Sequence, residues 1–318
     1  MALKLSLAIG HYDRHVPLLE GRIVTNDIEL QVIEVSNSSD RHRRMLKDQE
    51  FDAAEVSFSS YLMARDRGMP VVAIPVFPRR LFSQGCMYIH TDAGIQSPED
   101  LRGKRVGLNS YQTTLSVLAK GDLQHEYGVP ITDVIWLTSR EELFPFEAPM
   151  GVVIEPISAG REIGELLETG EISAMITPRM PLPMLRGHPK VRRLFPDVRQ
   201  EEIAYFHRLG FYPIMHTIAV REDLLRNSPW VAMILFQAFE EAKEVCYRWY
   251  EDPNWSHLGW GRLLFEEQRQ IMGADPWPNG VARNRANVER FITYSHEQGL
   301  IQGRMSVDSL FFTSTLDT

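Results

Sequence analysis

The sequence predicts an α/β protein of two lobes, each built on a doubly wound, mostly parallel sheet. Three observations carry that reading. Short apolar strand patterns such as "LKLSLAI", "IELQVIEV" and "PVVAIPVF" alternate with polar helical stretches through most of the chain. Two segments, "LKDQEFDAAEVSFSS" and "LETGEISAMITPRM", repeat one plan: a helix end, an acidic turn, a buried strand, and a polar residue where the strand emerges. Finally, 318 residues exceed what one simple hydrophobic core serves.

In chain order, Leu3 to Ile9 reads as the first strand, running into Gly10. Val16 to Glu20 is a short helix, and "IELQVIEV" from Ile28 is the second strand. "SDRHRRMLKDQEF" opens on a Ser-Asp capping signal and is rich in helix formers, so Arg41-His42-Arg43-Arg44 reads as a solvated helix face. "DAAEVSFSS" is a buried strand and turn, "SYLMARDRGM" a helix, and "PVVAIPVF" a strand bounded by prolines. A second cycle starts near residue 97. "SPEDLRGKRVGL" is a capped helical turn and a strand ending at Leu108, and "NSYQTTLSVLAKGDLQHEYGV" is a long helix. "ITDVIWLTS" is a strand, and "SAGREIGELLETGEISAMITP" a helix, a turn and another strand. A strand is expected from Met215 to Val220. "SPWVAMILFQAFEEAKEVCYRWY" is a long amphipathic helix with Ser228 as cap and Pro229 at its first position. "GVARNRANVERFITYSHEQGL" supplies one more helix. The expected lobes are 1–90 with 212–318, and 91–211.

Composition narrows the function. A net charge of -8 argues against a nucleic-acid partner, and no apolar run reaches the roughly 18 residues of a membrane span. "MALKLSLAIG" lacks the long apolar core and cleavage site of a leader, so a cytoplasmic location is expected. Cys86 and Cys246 lack metal-ligand spacing and read as free buried thiols in a reducing compartment.

Ligands of open parallel sheets bind beyond the carboxyl ends of the strands, so the residues there are the candidates. His11, Asp13, Arg14 and His15 follow the first strand. Glu55 lies in the third, which leads into Ser57 and Ser59, and Arg79 and Arg80 follow the fourth. In the second lobe Ser110, Tyr111, Gln112, Thr113 and Thr114 open a helix, and Arg179 follows "MITP". His216 sits in the C-terminal strand. Arginine forks, hydroxyls and a helix N-terminus suit a small anion, carboxylates above all. Each candidate also has a structural reading. Glu55 could pair with a core arginine, Arg79-Arg80 could end a solvated strand, Thr113 and Thr114 could cap a helix, and His216 could be a satisfied core residue. The alternating His11, Asp13 and His15 admit a divalent metal, with His11 and Asp13 the first ligands, but no fourth ligand is evident nearby.

The segments "AIGHYDRHVPLLEGRI", "EFDAAEVSFSSYLMARDRG", "VAIPVFPRRLF", "PEDLRGKRVGL", "VRRLFPDV", "PIMHTIAVRED", "PWVAMILFQAFEEAK" and "YSHEQGL" together resemble the 4,5-dihydroxyphthalate decarboxylase family. The resemblance runs from end to end in one order. That family is similar to type II periplasmic solute-binding proteins, so a two-lobed periplasmic-binding-protein-like (type II) fold with a cleft between the lobes is implied. The activity implied is non-oxidative decarboxylation of a hydroxylated aromatic dicarboxylate, such as 4,5-dihydroxyphthalate to protocatechuate, a step of phthalate degradation. Weight moves to Asp13 and Arg14 on "YDR" and to His216 on "PIMHT", while His11 departs from the acidic or amide residue usual before "YDR". Proton transfer is expected of His216 with Asp13 or Glu55. Substrate contacts are expected of Arg14, Ser57, Ser59, Arg79, Arg80, Gln112, Thr113, Thr114 and Arg179. No flavin, thiamine or pyridoxal motif is visible, so no organic cofactor is expected, and a divalent metal stays open. The alternative is a non-catalytic binding or sensing protein for a small aromatic acid. Assembly into a homo-oligomer also stays open.

Overall fold

The computed structural model describes residues 2–318. The chain runs from β1 (Leu3–Ile9) through α1 (Val16–Leu19), β2 (Ile28–Glu34) and α2 (Ser38–Leu46) to β3 (Ala53–Ser57), α3 (Phe58–Asp66) and β4 (Val71–Ile74). Then come β5 (Met87–His90), β6 (Arg105–Leu108), α4 (Thr114–His125), β7 (Ile135–Thr138) and β8 (Val153–Pro156). The middle closes with α5 (Ile163–Glu168), β9 (Ala174–Ile176), α6 (Leu182–Leu185), β10 (Val191–Arg193) and α7 (Val198–Leu209). Last are β11 (His216–Arg221), α8 (Glu222–Asn227), α9 (Val231–Glu251), α10 (Gly261–Met272) and α11 (Arg285–Glu297).

These elements form two compact units. The first holds the chain up to Arg80, Ile214–Glu289 and Met305–Thr318, and the second holds Leu81–Pro213 and Arg290–Arg304. The expected division at residues 90 and 212 is corrected in two places. β5 belongs to the second unit because it pairs with β9 and β10. Residues 290–304 also belong there, because the Tyr294 ring packs on Gly121 of α4, where a Cβ would lie 2.1 Å from Tyr294 Cδ2.

In the first unit the strand order is β2-β1-β3-β11-β4. β1 runs parallel to β2 and β3, whereas β11 is antiparallel to β3 and β4. The sheet is therefore mixed rather than simply parallel. β11 arrives from the second unit and not through a crossover helix, so nothing forces it parallel. Its core packs β1 residues Leu5, Leu7 and Ile9 with Ile218 and Val220, under the α9 stripe Val231, Leu235, Ala238, Phe239 and Ala242. That stripe has helical spacing, which is why "WVAMILFQAFEEAK" buries one face. α9 begins at Val231 after Trp230, so Ser228 and Pro229 precede the helix instead of capping it. α2 is capped by the Asn37 side chain, which accepts from Asp40 N, rather than by the Ser-Asp pair.

The second unit orders its strands β10-β5-β9-β6-β7-β8, with β5 antiparallel to both neighbours. Tyr88, Leu137, Ile163, Leu167, Met175 and Val191 share one core cluster. Among the described residues no helix is long and apolar enough to cross a membrane.

Candidate active site

The first unit gathers a polar cluster around Glu55. β3 and β11 pair antiparallel with Ile218 opposite Glu55 and His216 opposite Ser57. Glu55 and His216 are therefore diagonal neighbours on one sheet face, a spacing that long side chains can bridge. The bridge forms: His216 Nδ1 lies 2.5 Å from Glu55 Oε1. Gly10 N donates to Glu55 Oε2 at 2.9 Å, and Tyr12 Oη donates to Oε1 at 3.2 Å. Gly10 leaves room for this contact: a Cβ would crowd the Tyr12 ring at 3.1 Å and Glu55 Oε2 at 3.2 Å. Arg41 of α2 completes the shell, pairing with Oε2 at 2.9 Å and donating its Nε to the Glu55 carbonyl at 3.0 Å.

Glu55 is fully buried. Burial alone would push its carboxyl up, but the hydrogen bond and charge of His216, with the Arg41 charge, outweigh that and hold it well below the usual range. Burial pushes His216 down, and Glu55 only partly offsets it. At neutral pH the pair is a carboxylate and a neutral imidazole. Nδ1–H then donates to Glu55, and Nε2 carries the lone pair.

The other expected residues sort by what they touch. Arg79 belongs with the cluster: its charge acts on Tyr12, His42 and His216. Arg80 does not, because it is buried and donates to the Pro278 carbonyl and to Asn284 Oδ1, a structural role. Ser57 caps α3, accepting from Ser60 N, and Ser59 is buried in the same helix. Asp13 and Arg14 form a separate knot. Arg14 lies between the Tyr12 and Trp277 rings, 4.5 and 4.2 Å from their centroids, with Nε on the Pro78 carbonyl. Asp13 accepts from Arg14 and from Tyr250 Oη at 2.6 Å. Burial raises the Asp13 carboxyl, yet Arg14 and Tyr250 bring it below the ordinary value. Both residues line a cavity of about 250 Å³ with Tyr247, Tyr250, Phe265 and Trp277, a wall that includes neither Glu55 nor His216.

His11, Asp13 and His15 diverge. His11 is exposed and paired with Glu34, while His15 is buried with Nδ1 on the Gly10 carbonyl. Among the described residues no three His, Cys, Asp or Glu side chains group as metal ligands. His11 and Asp13 thus do not form the ligand pair the sequence allowed.

In the second unit the Ser110–Thr114 turn is occupied by the chain itself. Glu142 accepts from Ser110 Oγ at 2.7 Å, Tyr111 N at 2.6 Å and Gln112 N at 3.2 Å. The Gln112 amide exchanges two bonds with the Phe144 backbone, and the Phe146 ring stacks on Tyr111. Thr113 caps α4 and Thr114 is buried in its first turn. Arg179 is exposed beyond β9.

Arg41 and His42 are the residues sequence reading missed. The basic run is divided: Arg41 and His42 are buried with Met45 and Leu46, whereas Arg43 and Arg44 carry the solvent-side ion pairs. The spacing i, i+1, i+4, i+5 to two apolar residues was the available signal.

The 4,5-dihydroxyphthalate decarboxylase of Comamonas testosteroni is 35% identical over 328 residues, covering 99% of this chain and 98% of its own. This chain belongs to the 4,5-dihydroxyphthalate decarboxylase family. The family's Pseudomonas putida decarboxylase is 32% identical, over 66% of this chain and 83% of that protein. Residues 24–144 also match the family described as NMT1/THI5 like. Among solved structures, the periplasmic aliphatic sulphonate binding protein SsuA of Escherichia coli covers 100% of both chains with a TM-score of 0.61 at 12% identity. A putative SsuA of Methylobacillus flagellatus gives 0.59 at 11% identity, covering 99% of this chain and 93% of its own. At that identity the likeness speaks for the fold alone, and the two-lobed type II fold expected for the decarboxylase family is what the chain has.

Proposed function

We propose that this chain is a carboxy-lyase that converts 4,5-dihydroxyphthalate, or a close hydroxylated aromatic dicarboxylate, to protocatechuate and CO2 without oxidation. The observation that carries the reading is the 35% identity to a decarboxylase over 99% of the chain. The Glu55–His216 pair supplies the chemistry such a reaction needs.

Direct loss of CO2 would leave the bonding pair on the ring as an aryl anion, which is too high in energy. Protonating the carboxylate-bearing carbon first avoids it. A hydroxyl para to that carbon pushes electrons there, most strongly when deprotonated. His216, neutral and oriented by Glu55, offers Nε2 as the base for that hydroxyl. When the C–C bond breaks, its electron pair returns to the ring, aromaticity is restored and the hydroxyl recovers its proton. The proton added to the ring carbon comes from solvent, so overall one proton is taken up and one CO2 leaves. Asp13 and Glu55 are both held ionised, so His216 carries the proton transfer and Glu55 orients it. Arg79, whose charge already reaches His216, is the arginine for the spectator carboxylate. The ring's own hydroxyl is the electron source, so the reading requires no organic cofactor. His11 and Asp13 face different partners, and no step is routed through a metal. Cys86 and Cys246 are buried thiols rather than a disulfide, which supports a cytoplasmic setting, and the partner is a small aromatic carboxylate.

The test is incubation of purified protein with 4,5-dihydroxyphthalate, following CO2 and protocatechuate. Turnover is expected. Tight binding without turnover would instead assign a binding protein, the role named for the sulphonate-binding proteins that share the fold. Neither binding nor turnover would reject the substrate class.

A further inference from the structure

α2 presents two consecutive residues to the two members of the dyad. Arg41 grips Glu55. The next residue, His42, packs on His216, with ring centroids 4.9 Å apart and planes at 87°. Both imidazoles are buried. His42 Nε2 is shut away from solvent and, among the described residues, has no nitrogen or oxygen partner. A buried polar atom left in that state is costly. A perpendicular aromatic neighbour offers one way to satisfy it, an N–H directed at a π face.

We propose that His42 is a positioning residue whose Nε2–H lies against the face of the His216 imidazole, fixing that ring and opposing its protonation. The inference rests on the reading of His216 as the proton acceptor. An N–H dipole on a ring face brings partial positive charge close to it, which favours the neutral ring over the imidazolium. The charged and titratable groups that face His216 are Glu55, Arg41, Arg79 and His42. Only Glu55 favours the imidazolium, and the other three oppose it. Burial, with the charges of Arg41 and Arg79, also keeps His42 itself neutral, so both rings are neutral at neutral pH. His216 is thereby a transient carrier: it accepts the phenolic proton and does not retain it. His42 touches no reacting atom in this scheme and acts through its neighbour.

The test is the pH profile of kcat/KM on 4,5-dihydroxyphthalate for the full chain, His42→Phe and His42→Gln. Phe keeps an edge-on ring and removes the N–H, while Gln restores an N–H at similar reach. The acid limb should move up by about one pH unit in His42→Phe, with kcat down about tenfold and KM little changed. His42→Gln should bring the limb most of the way back. An unmoved acid limb in folded His42→Phe overturns the proposal, whatever its melting temperature. Should that variant not fold, ¹⁵N NMR of the wild-type imidazoles at pH 7 decides. A proton on His42 Nε2 and on His216 Nδ1 is expected, and a bare His42 Nε2 overturns the proposal. A wild type without turnover rejects the decarboxylase reading instead, and the same spectrum still decides the His42 geometry.

Discussion

In the first unit the Glu55 carboxylate accepts from Gly10, Tyr12 and His216 and is ion-paired with Arg41. In the second unit the Glu142 carboxylate accepts from Ser110, Tyr111 and Gln112. Both are well supplied with donors, and each meets a segment the sequence marks as ligand-facing. The donors differ in kind. Glu142 is held by a hydroxyl and two amides, none of which titrates near neutrality, so its bonds only latch the loop that carries Glu142 onto the start of α4. Glu55 is held partly by an imidazole whose second nitrogen is left to act. The identity of the donors, more than their number, separates a proton-transfer arrangement from a latch.

Removing the imidazole is the sharpest way to break that comparison. His216→Ala should lower kcat about 10³-fold with the fold intact, within the range general acid–base groups contribute. Glu142→Ala should leave most of the chemistry, read in the same CO2 assay. Equal losses at both positions would end the distinction between dyad and latch. Stability should separate them next. Glu55→Ala leaves Arg41 buried without its carboxylate and should cost about 3–5 kcal/mol in urea unfolding. Glu142→Ala, at a carboxylate that is only half-buried, should cost about 1–2 kcal/mol.

Acid should pull the two units in opposite directions. Burial pushes His15 down to about 4 from 6.5, so the unfolded chain takes that proton first and stability falls as pH drops from 6.5 to about 4. Burial pushes Asp122 of the second unit up to about 6 from 3.8, despite hydrogen bonds from Ser83, Tyr205 and Tyr294. Here the folded state takes the proton first, and stability rises as pH drops from about 6 to 3.8. Each term is worth about 3 kcal/mol across its window. Urea unfolding at pH 7 and pH 4.5 should therefore show a smaller acid loss in His15→Gln and a larger one in Asp122→Asn. The smallest effect lies within the basic run of α2. Arg43→Ala, at exposed ion pairs with Asp40 and Asp48, should change stability by about 0.5 kcal/mol or less. A loss there approaching that of Glu55→Ala would mean that α2 does not divide its basic run as described.

Much of the fold was legible because strands and helices announce themselves locally. β1, β3, β4 and β6 stand where their apolar runs predict, and α9 follows its 3.6-residue stripe. The strand directions were not legible, since antiparallel β11 carries the same apolar residues a parallel strand would. Of the candidate site, Glu55 and His216 were named from the sequence, and what joins them is a register between strands 161 positions apart. Arg80 read like Arg79 because adjacent arginines look alike until Asn284 and the Pro278 carbonyl claim one of them. The reading of Gln112, Thr113 and Thr114 as substrate contacts could not anticipate Glu142, because a loop without regular structure carries no periodic signal.

The sequence by itself determined which segments become strands and helices, where the apolar faces lie, and the family, because these depend on local pattern and on residue order. Only the tertiary structure decided which polar groups meet. It put Arg41 and His42 under the dyad, gave Glu55 an imidazole partner and gave Glu142 an amide seat. The physical reason is that burial and pairing of charges are non-local: a carboxylate's partners, and hence its protonation and its use, come from whatever the packed chain brings within hydrogen-bonding distance.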